Sequence, residues 1–448
     1  MHEVEVAMHP EEIFDAFQLR RNGSQLQVNG QRFYFAGFNN YYLPTFAADP
    51  HHQEERTTDV DVVFRDATEL GLTVLRTWAF ADGPQWNAIQ PSLGVLDERV
   101  LSEGLDYVVA TACSHNIRLV LTLTNYLTAY GGMQTWVQWF HGTNVLDFYK
   151  SPAIRKAYKS YMRAILMRRN SITGVLYKDD PTIMAWDLAN EPLGPGDDSG
   201  QILTAWVKEM ADFVKSIDPN HLTMVGTWGH FGKSSPDLLP ENPYDLSWRT
   251  SNLSNDAGIW SADPICKGED FVALMADTSI DIGSVHLYPE FMPVCTDDCK
   301  VNLDSGPVSI RGTLTDLGYW TLCSTECRVK YIKRWLRVHF EQGQALGKPV
   351  IVGEFGSQRP MTMRNAIYEA GSLFWILEAP EHPDWDGYTV YNNGSNFPHD
   401  PQPWHFVLLP GEASGQPTTR YLGVDIMNDG WQQTIALISD QVAALLTI

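Results

Sequence analysis

Along this chain apolar residues gather in short runs of strand length, and between the runs they return every three to four positions, the spacing of one helix face. Eight runs recur: one from Phe33, then "LTVLRTWAF" near Val74, "IRLVLTLTNY" near Val120, "IMAWDLANE" near Ala185, "LTMVGTWG" near Val225, "IDIGSVHLYP" near Val285, "KPVIVGEFG" near Val352 and "GSLFWIL" near Phe374. Helical patterns lie between them, as in "DVVFRDATELG", "LSEGLDYVVATACSHN", "AYKSYMRAILMRRN", "AWVKEMADFVKSID" and "CRVKYIKRWLRVHFEQGQALG". Apolar runs without alternation are strands buried on both faces, which favours a parallel sheet, and eight strand-then-helix repeats favour its closure. The pattern predicts an α/β fold, a (β/α)8 TIM barrel, with a doubly wound open sheet as the alternative.

Ahead of the first barrel strand, "FQLRRNGSQLQVNGQRFYFAGFNNYYL" carries two turn signals, Asn22-Gly23 and Asn29-Gly30, and predicts a small N-terminal hairpin. Residues 230–280 and 289–328 are rich in Pro, Asn, Asp and Ser and follow strand C-termini. They read as long loop insertions on the face where barrel active sites are built. The tail after Trp375 begins on that face and ends in an amphipathic helix near Trp431 to Leu446. With no linker and no internal repeat, residues 1–448 read as one elaborated domain.

Polar residues stand at the strand ends: Arg76, Trp78, Asn125, Asn190, Glu191, His286, Tyr288, Glu354 and Trp375. On a barrel these converge on one mouth, with Glu191 ending the fourth strand and Glu354 the seventh. Two carboxylates facing each other across a sugar-sized gap are what glycoside hydrolysis needs, one to protonate the leaving oxygen and one to attack or activate water. The nucleophile must stay charged, which a neighbouring Arg favours; the acid must keep its proton, which the apolar neighbours Trp186, Leu188 and Pro192 of Glu191 favour. Each residue also has a plain structural reading: a solvated strand-end Glu, a buried ion pair for Arg76, a satisfied core histidine for His286 and barrel packing for Trp375.

Composition narrows the ligand. Of 448 residues 44% are apolar and 19% charged, with no apolar run long enough to span a membrane. A net charge of −22 repels phosphate backbones, so neither nucleic acid nor membrane is an expected partner. Fifteen Trp and eighteen Tyr suit the C–H faces of sugars, though large cores are also aromatic-rich. No His/Asp/Glu set has metal-ligand spacing, and His51-His52 reads as a surface loop, so no metal or cofactor is expected. Cys295 with Cys299 and Cys323 with Cys327 form two C-x3-C pairs that would allow bridges Cys295–Cys327 and Cys299–Cys323, with a four-cysteine zinc site as the alternative. No signal peptide opens the chain, yet the paired cysteines and the N-x-S sequons at Asn22, Asn252 and Asn393 lean towards an oxidising compartment and a secreted protein.

"WDLANEP" with "VGEFG", preceded by "LRTWAF" and separated by "VHLYP", resembles glycoside hydrolase family 5. "RTWAFADG", "TLTNYLTAYGGMQTWVQW" and "GEDFVALMADTSIDIGSVHLYPE" look most like its β-mannanase and β-mannosidase-like subfamily, subfamily 7. The resemblance implies a retaining enzyme acting on β-1,4-mannosidic bonds, with Glu191 as acid/base and Glu354 as nucleophile. It further implies that Asn190 holds the sugar 2-hydroxyl, Arg76 and Tyr288 attend the nucleophile, His286 orients its neighbours and Trp375 is a sugar platform. The chain departs from the subfamily where Thr227 and Trp228 replace an acidic run after the fifth strand and where Ile376 replaces a common Gln. Because the cysteine-bearing insertion sits beside the cleft, a stapled wall closing one end is expected. It implies exo-type β-mannosidase action on manno-oligosaccharides, with transglycosylation. An endo-β-1,4-mannanase, a family 5 β-glucan hydrolase and a non-catalytic carbohydrate-binding barrel are the alternatives.

Overall fold

A computed structural model describes residues 18–49, 53–242, 268–288, 325–355 and 372–374. Three short strands open it, β1 (Leu19–Asn22), β2 (Gln25–Val28) and β3 (Gln31–Arg32), forming an antiparallel sheet in the order β1-β2-β3. The expected hairpin is therefore a three-stranded sheet, because Asn29 and Gly30 both take positive φ and turn the chain a second time.

Eight parallel strands follow: β4 (Ala36–Asn39), β5 (Val74–Trp78), β6 (Arg118–Thr122), β7 (Ile183–Asn190), β8 (Leu222–Thr227), β9 (Ile282–Leu287), β10 (Val350–Phe355) and β11 (Ser372–Phe374). They close into a barrel in that order, with β11 pairing β4. The (β/α)8 reading holds and the open-sheet alternative falls. All eight strands lie where the apolar runs predict, the first starting at Ala36 rather than Phe33.

The principal helices are α1 (Gln53–Glu69), α2 (Asp106–Ser114), α3 (Pro152–Leu166), α4 (Gln201–Ile217), α5 (Phe271–Ala276) and α6 (Thr325–Leu346). Ser151 caps α3 by accepting from the Ile154 N–H, and Pro152 supplies a pre-set φ at its first position. Aromatic side chains join this helix layer to the barrel. Trp136 and Trp206 are buried, and the Tyr158 and Tyr161 hydroxyls of α3 donate to the carbonyls of Leu188 at 3.1 Å and Ala79 at 2.6 Å. A separate cluster forms the floor: Leu19, Leu26 and Phe35 pack with Val74, Met184, Leu222, Ile282 and Ile351 at the strand N-termini. The small sheet thus closes the end opposite the polar strand ends. Among the described residues no helix is long and apolar enough to cross a membrane.

Candidate active site

β7 shows how the site is built. All eight of its residues are buried, yet it contains Asp187 and Asn190. A carboxylate inside a barrel needs partners, since an unpaired buried charge is costly. Asp187 finds them across the strands: Arg76 Nε and Nη2 donate to its Oδ2 at 3.0 and 2.8 Å, the Thr122 hydroxyl at 2.9 Å, and the Gly226 N–H donates to Oδ1 at 2.8 Å.

Arg76, 1% exposed, is the hub. Besides Asp187 it donates from Nη1 to Glu354 Oε1 at 2.5 Å and to Asn39 Oδ1 at 3.2 Å, and from Nη2 to Asn190 Oδ1 at 2.8 Å. All five of its N–H groups are thereby used. Burial alone would lower its pKa, but Asp187 and Glu354 outweigh burial and raise it, so the guanidinium stays charged. Asn190 in turn donates to Asn125 Oδ1 at 3.1 Å.

The two glutamates are then placed by irregularities at the strand ends. Glu191 has φ +45°, a conformation unusual for a non-glycine residue, and its N–H donates to Gly226 O at 2.7 Å. The β7–β8 register shifts between Asp187 and Asn190, and the β9–β10 register between Val352 and Glu354. Such shifts re-aim side chains next to functional sites. Gly353 is needed for the second, since a Cβ there would stand 2.1 Å from Ser284 Oγ.

The Tyr288 hydroxyl donates to Glu354 Oε2 at 2.7 Å, and His286 Nδ1 lies 2.8 Å from Glu191 Oε1 and 3.4 Å from Glu354 Oε2. Donor atoms of Glu191, His286 and Glu354 all fall within 4.8 Å of one another. A small cation would fit that spacing only in competition with Arg76, already on Glu354. Burial lowers the His286 pKa to about 4, so the ring is neutral near pH 6. Burial also pushes Glu354 above its ordinary carboxylate value, against the pull of the Arg76 charge and the Tyr288 hydroxyl and with Glu191 adding to the rise. At this carboxyl burial is a larger influence than Arg76.

Six of the nine strand-end residues (Arg76, Asn190, Glu191, His286, Tyr288 and Glu354) form one connected cluster, with Asn125 attached through Asn190. Trp78 instead joins an aromatic group with Tyr41 and Phe80, ring centres 4.7 and 4.9 Å away. Trp375, Ile376, His51 and His52 lie outside the described residues, as do Asn252, Asn393, Cys295, Cys299 and Cys323; Cys327 is placed by its backbone in the first turn of α6.

Sequence reasoning missed Asn39, whose amide donates to Gly353 O at 3.1 Å and so ties β4 to the strand bearing Glu354. It also missed Glu269. That carboxylate accepts from the Gly229 N–H at 2.7 Å and lies 2.8 Å from His230 Nδ1, fixing the loop after β8 where Trp228 packs 6.1 Å from Tyr288. The only signal for Asp187 was a charge inside an apolar run; Glu269 lay in a motif that carried the resemblance but no role, and Asn39 stood in the first strand without one.

With this geometry in view, known proteins can be set beside it. The family model described as "GH family 5 beta-mannosidase-like" matches residues 16–242. Mannan endo-1,4-beta-mannosidase 2 of Oryza sativa subsp. japonica is 34% identical over 90% of this chain and 85% of its own, and mannan endo-1,4-beta-mannosidase 2 of Arabidopsis thaliana is 36% identical over 81% and 79%. The hyperthermostable endo-1,4-beta-D-mannanase of Thermotoga petrophila RKU-1 superposes with a TM-score of 0.62 at 30% identity, covering 81% of this chain and 96% of that one. Two glutamates held by an arginine, a tyrosine and a histidine at the mouth of an eight-stranded barrel thus sit in a chain that belongs to glycoside hydrolase family 5, among its mannanases and mannosidases, and is a glycoside hydrolase.

Proposed function

We propose that this enzyme cuts internal β-1,4 bonds of mannan with retention of configuration, Glu354 acting as nucleophile and Glu191 as acid/base. One observation carries the assignment. The glutamates have unlike neighbours: Glu354 is held by a guanidinium at 2.5 Å and a hydroxyl at 2.7 Å, whereas Glu191 faces an imidazole that burial keeps neutral. A cation and a hydrogen-bond donor favour the ionised form a nucleophile needs; a neutral ring adds no charge that would strip an acid of its proton. One oxygen of each carboxyl lies within 4.8 Å of the other, a spacing nearer the roughly 5 to 5.5 Å between carboxyl groups of double displacement than the roughly 6.5–9.5 Å of inversion. In the first step Glu354 bonds to the anomeric carbon as Glu191 gives its proton to the leaving oxygen. In the second, Glu191 takes a proton from water, which displaces Glu354; a sugar hydroxyl in place of that water gives transglycosylation.

The names of the relatives support endo action over the expected exo action, which rested on a wall built from residues 289–328, largely outside the described residues. Secretion is proposed with it: Asn22 of the N-x-S sequon is exposed at the end of β1, beside the turn to β2, and open to a glycan. Viscometry with product chromatography tests the cutting mode. A rapid fall in galactomannan viscosity with a ladder of internal products is expected; mannose accumulating at unchanged viscosity would refute it. Proton NMR of the first product should show the β-anomer. Glu191→Ala and Glu354→Ala should each lower kcat by at least about a thousandfold while leaving the chain folded.

A further inference from the structure

The net charge of −22 hides one cationic stretch. Residues 150–178 hold eight of the chain's 32 Lys and Arg and none of its 54 Asp and Glu. Helix α3 carries the middle of it and has two faces. Inward, Tyr158 and Tyr161 anchor the barrel strands as described. Outward, Arg155, Lys159 and Arg163 recur at every fourth position, about 6 Å apart along the helix axis, with Lys156 beside them.

Together with α4 these residues line a groove of about 370 Å³. Its cations are held rather than splayed. Glu209, the one carboxylate among the described lining residues, takes Arg155 at 2.9 Å and Lys159 at 2.7 Å. Lys159 and Arg163 each stand 5.4 Å from the ring centre of Phe213. Lys156 and Arg163 are exposed, and Arg155 Nε is buried without a hydrogen-bond partner among the described residues. One carboxylate against four cations leaves a site that asks for an anion.

We propose that this groove is a surface site for a carboxylate-bearing polysaccharide, separate from the barrel mouth. α3 and α4 flank β7 in the chain and lie in the outer helix layer, so a chain bound there leaves the mouth open. A neutral mannan cannot be concentrated by charge, but a charged companion polymer can, and holding one keeps the enzyme within reach of mannan mixed with it. The size of the patch selects the ligand. α3 spans about 22 Å at 1.5 Å per residue, and the rest of the chain is acidic. A duplex with a phosphate every ~1.7 Å would run off the ridge onto like charge well within the roughly 8 Å screening length. A polyuronate, with one carboxylate per ring, needs only as many cations as the ridge offers.

Affinity electrophoresis of the full chain tests this, in native gels containing polygalacturonate, uncharged hydroxyethyl cellulose or single-stranded DNA. Polygalacturonate alone should retard the protein, with apparent affinity at least about tenfold weaker in K156E/R163E, intermediate in K156Q/R163Q, and abolished by high salt. K333E/R337E, the same charge change on exposed positions of α6, should behave as the parent. Equal retardation of parent and K156E/R163E, equal loss in K333E/R337E, no retardation by polygalacturonate, or stronger retardation by DNA would each overturn the site. Mannan hydrolysis measured on the same samples should not change with these variants. A chain that is retarded but inactive on mannan would refute the proposed function and leave the site standing.

Discussion

Arg76 shows what a single side chain does here. Its planar fork reaches Asp187, Asn39, Asn190 and Glu354 at once, and no Lys has the donors to do so. Arg76→Gln removes one of the charges that oppose the burial-driven rise of Glu354, so the Glu354 carboxyl should titrate higher still. A nucleophile must be ionised, so the acid limb of kcat/KM against pH should move to higher pH; an unmoved limb would show that Glu354 is not the group titrating there. The same variant leaves Asp187 without its counter-ion, and thermal denaturation should register a loss of roughly 3–5 kcal/mol, the usual result of breaking a buried ion pair. Tyr288→Phe removes one hydrogen bond to a charged acceptor, worth about 1.5–3 kcal/mol; thermal denaturation should register a loss of about that size, and kcat should fall by about ten- to hundredfold. Arg76, Glu191, His286, Tyr288 and Glu354 were legible in the sequence because a polar residue ending an apolar run has few explanations. Asn39 was not legible, since its role consists of reaching carbonyls of β10 and β11 more than 300 residues away.

At the scale of elements, the strand ends matter more than the strands. β10 pairs regularly with β9 until Val352, then shifts register so that Glu354 stands opposite His286. Gly353 permits this approach, and Gly353→Ala would force a Cβ into the Ser284 hydroxyl. We expect that variant to lose activity out of proportion to stability; full kcat with a normal melting temperature would show that the close approach does not place Glu354. Gly226 serves β8 similarly, because a Cβ there would meet Arg76 Nη2 at 2.7 Å. The apolar period revealed the barrel strands because burial on both faces leaves a continuous run. It did not reveal the third strand of the N-terminal sheet, two residues long and exposed. Nor did it disclose the bulges, which depend on how two distant strands fit together.

For the whole molecule, burial sets a pH response remote from the glutamates. Asp82 is 2% exposed, its carboxylate meets only the Trp136 and Gln90 side chains at 3.0 and 3.3 Å among the described residues, and burial lifts its pKa from 3.8 to about 8. Between those values the folded chain keeps a proton that the unfolded chain releases, so this group makes stability fall as pH rises through that window. Asp82→Asn should flatten the decline in melting temperature between about pH 6 and pH 8, relative to the parent; an identical slope in both proteins would refute the role of Asp82. The sequence by itself determined the strand and helix order, the convergence of polar strand ends on one mouth and the family resemblance, because burial periodicity and local motifs are written in neighbouring residues. The cationic stretch at 150–178 is written there too, though the total charge averages it away; that it shares a groove with Glu209 and Phe213 of α4 was not. Only the tertiary structure decided that Asp187 and Asn39 share Arg76, that His286 bridges the two glutamates, and that burial outweighs Arg76 at Glu354. Each of these is a distance or a solvation state between residues far apart in the chain, and it exists only once the barrel has closed.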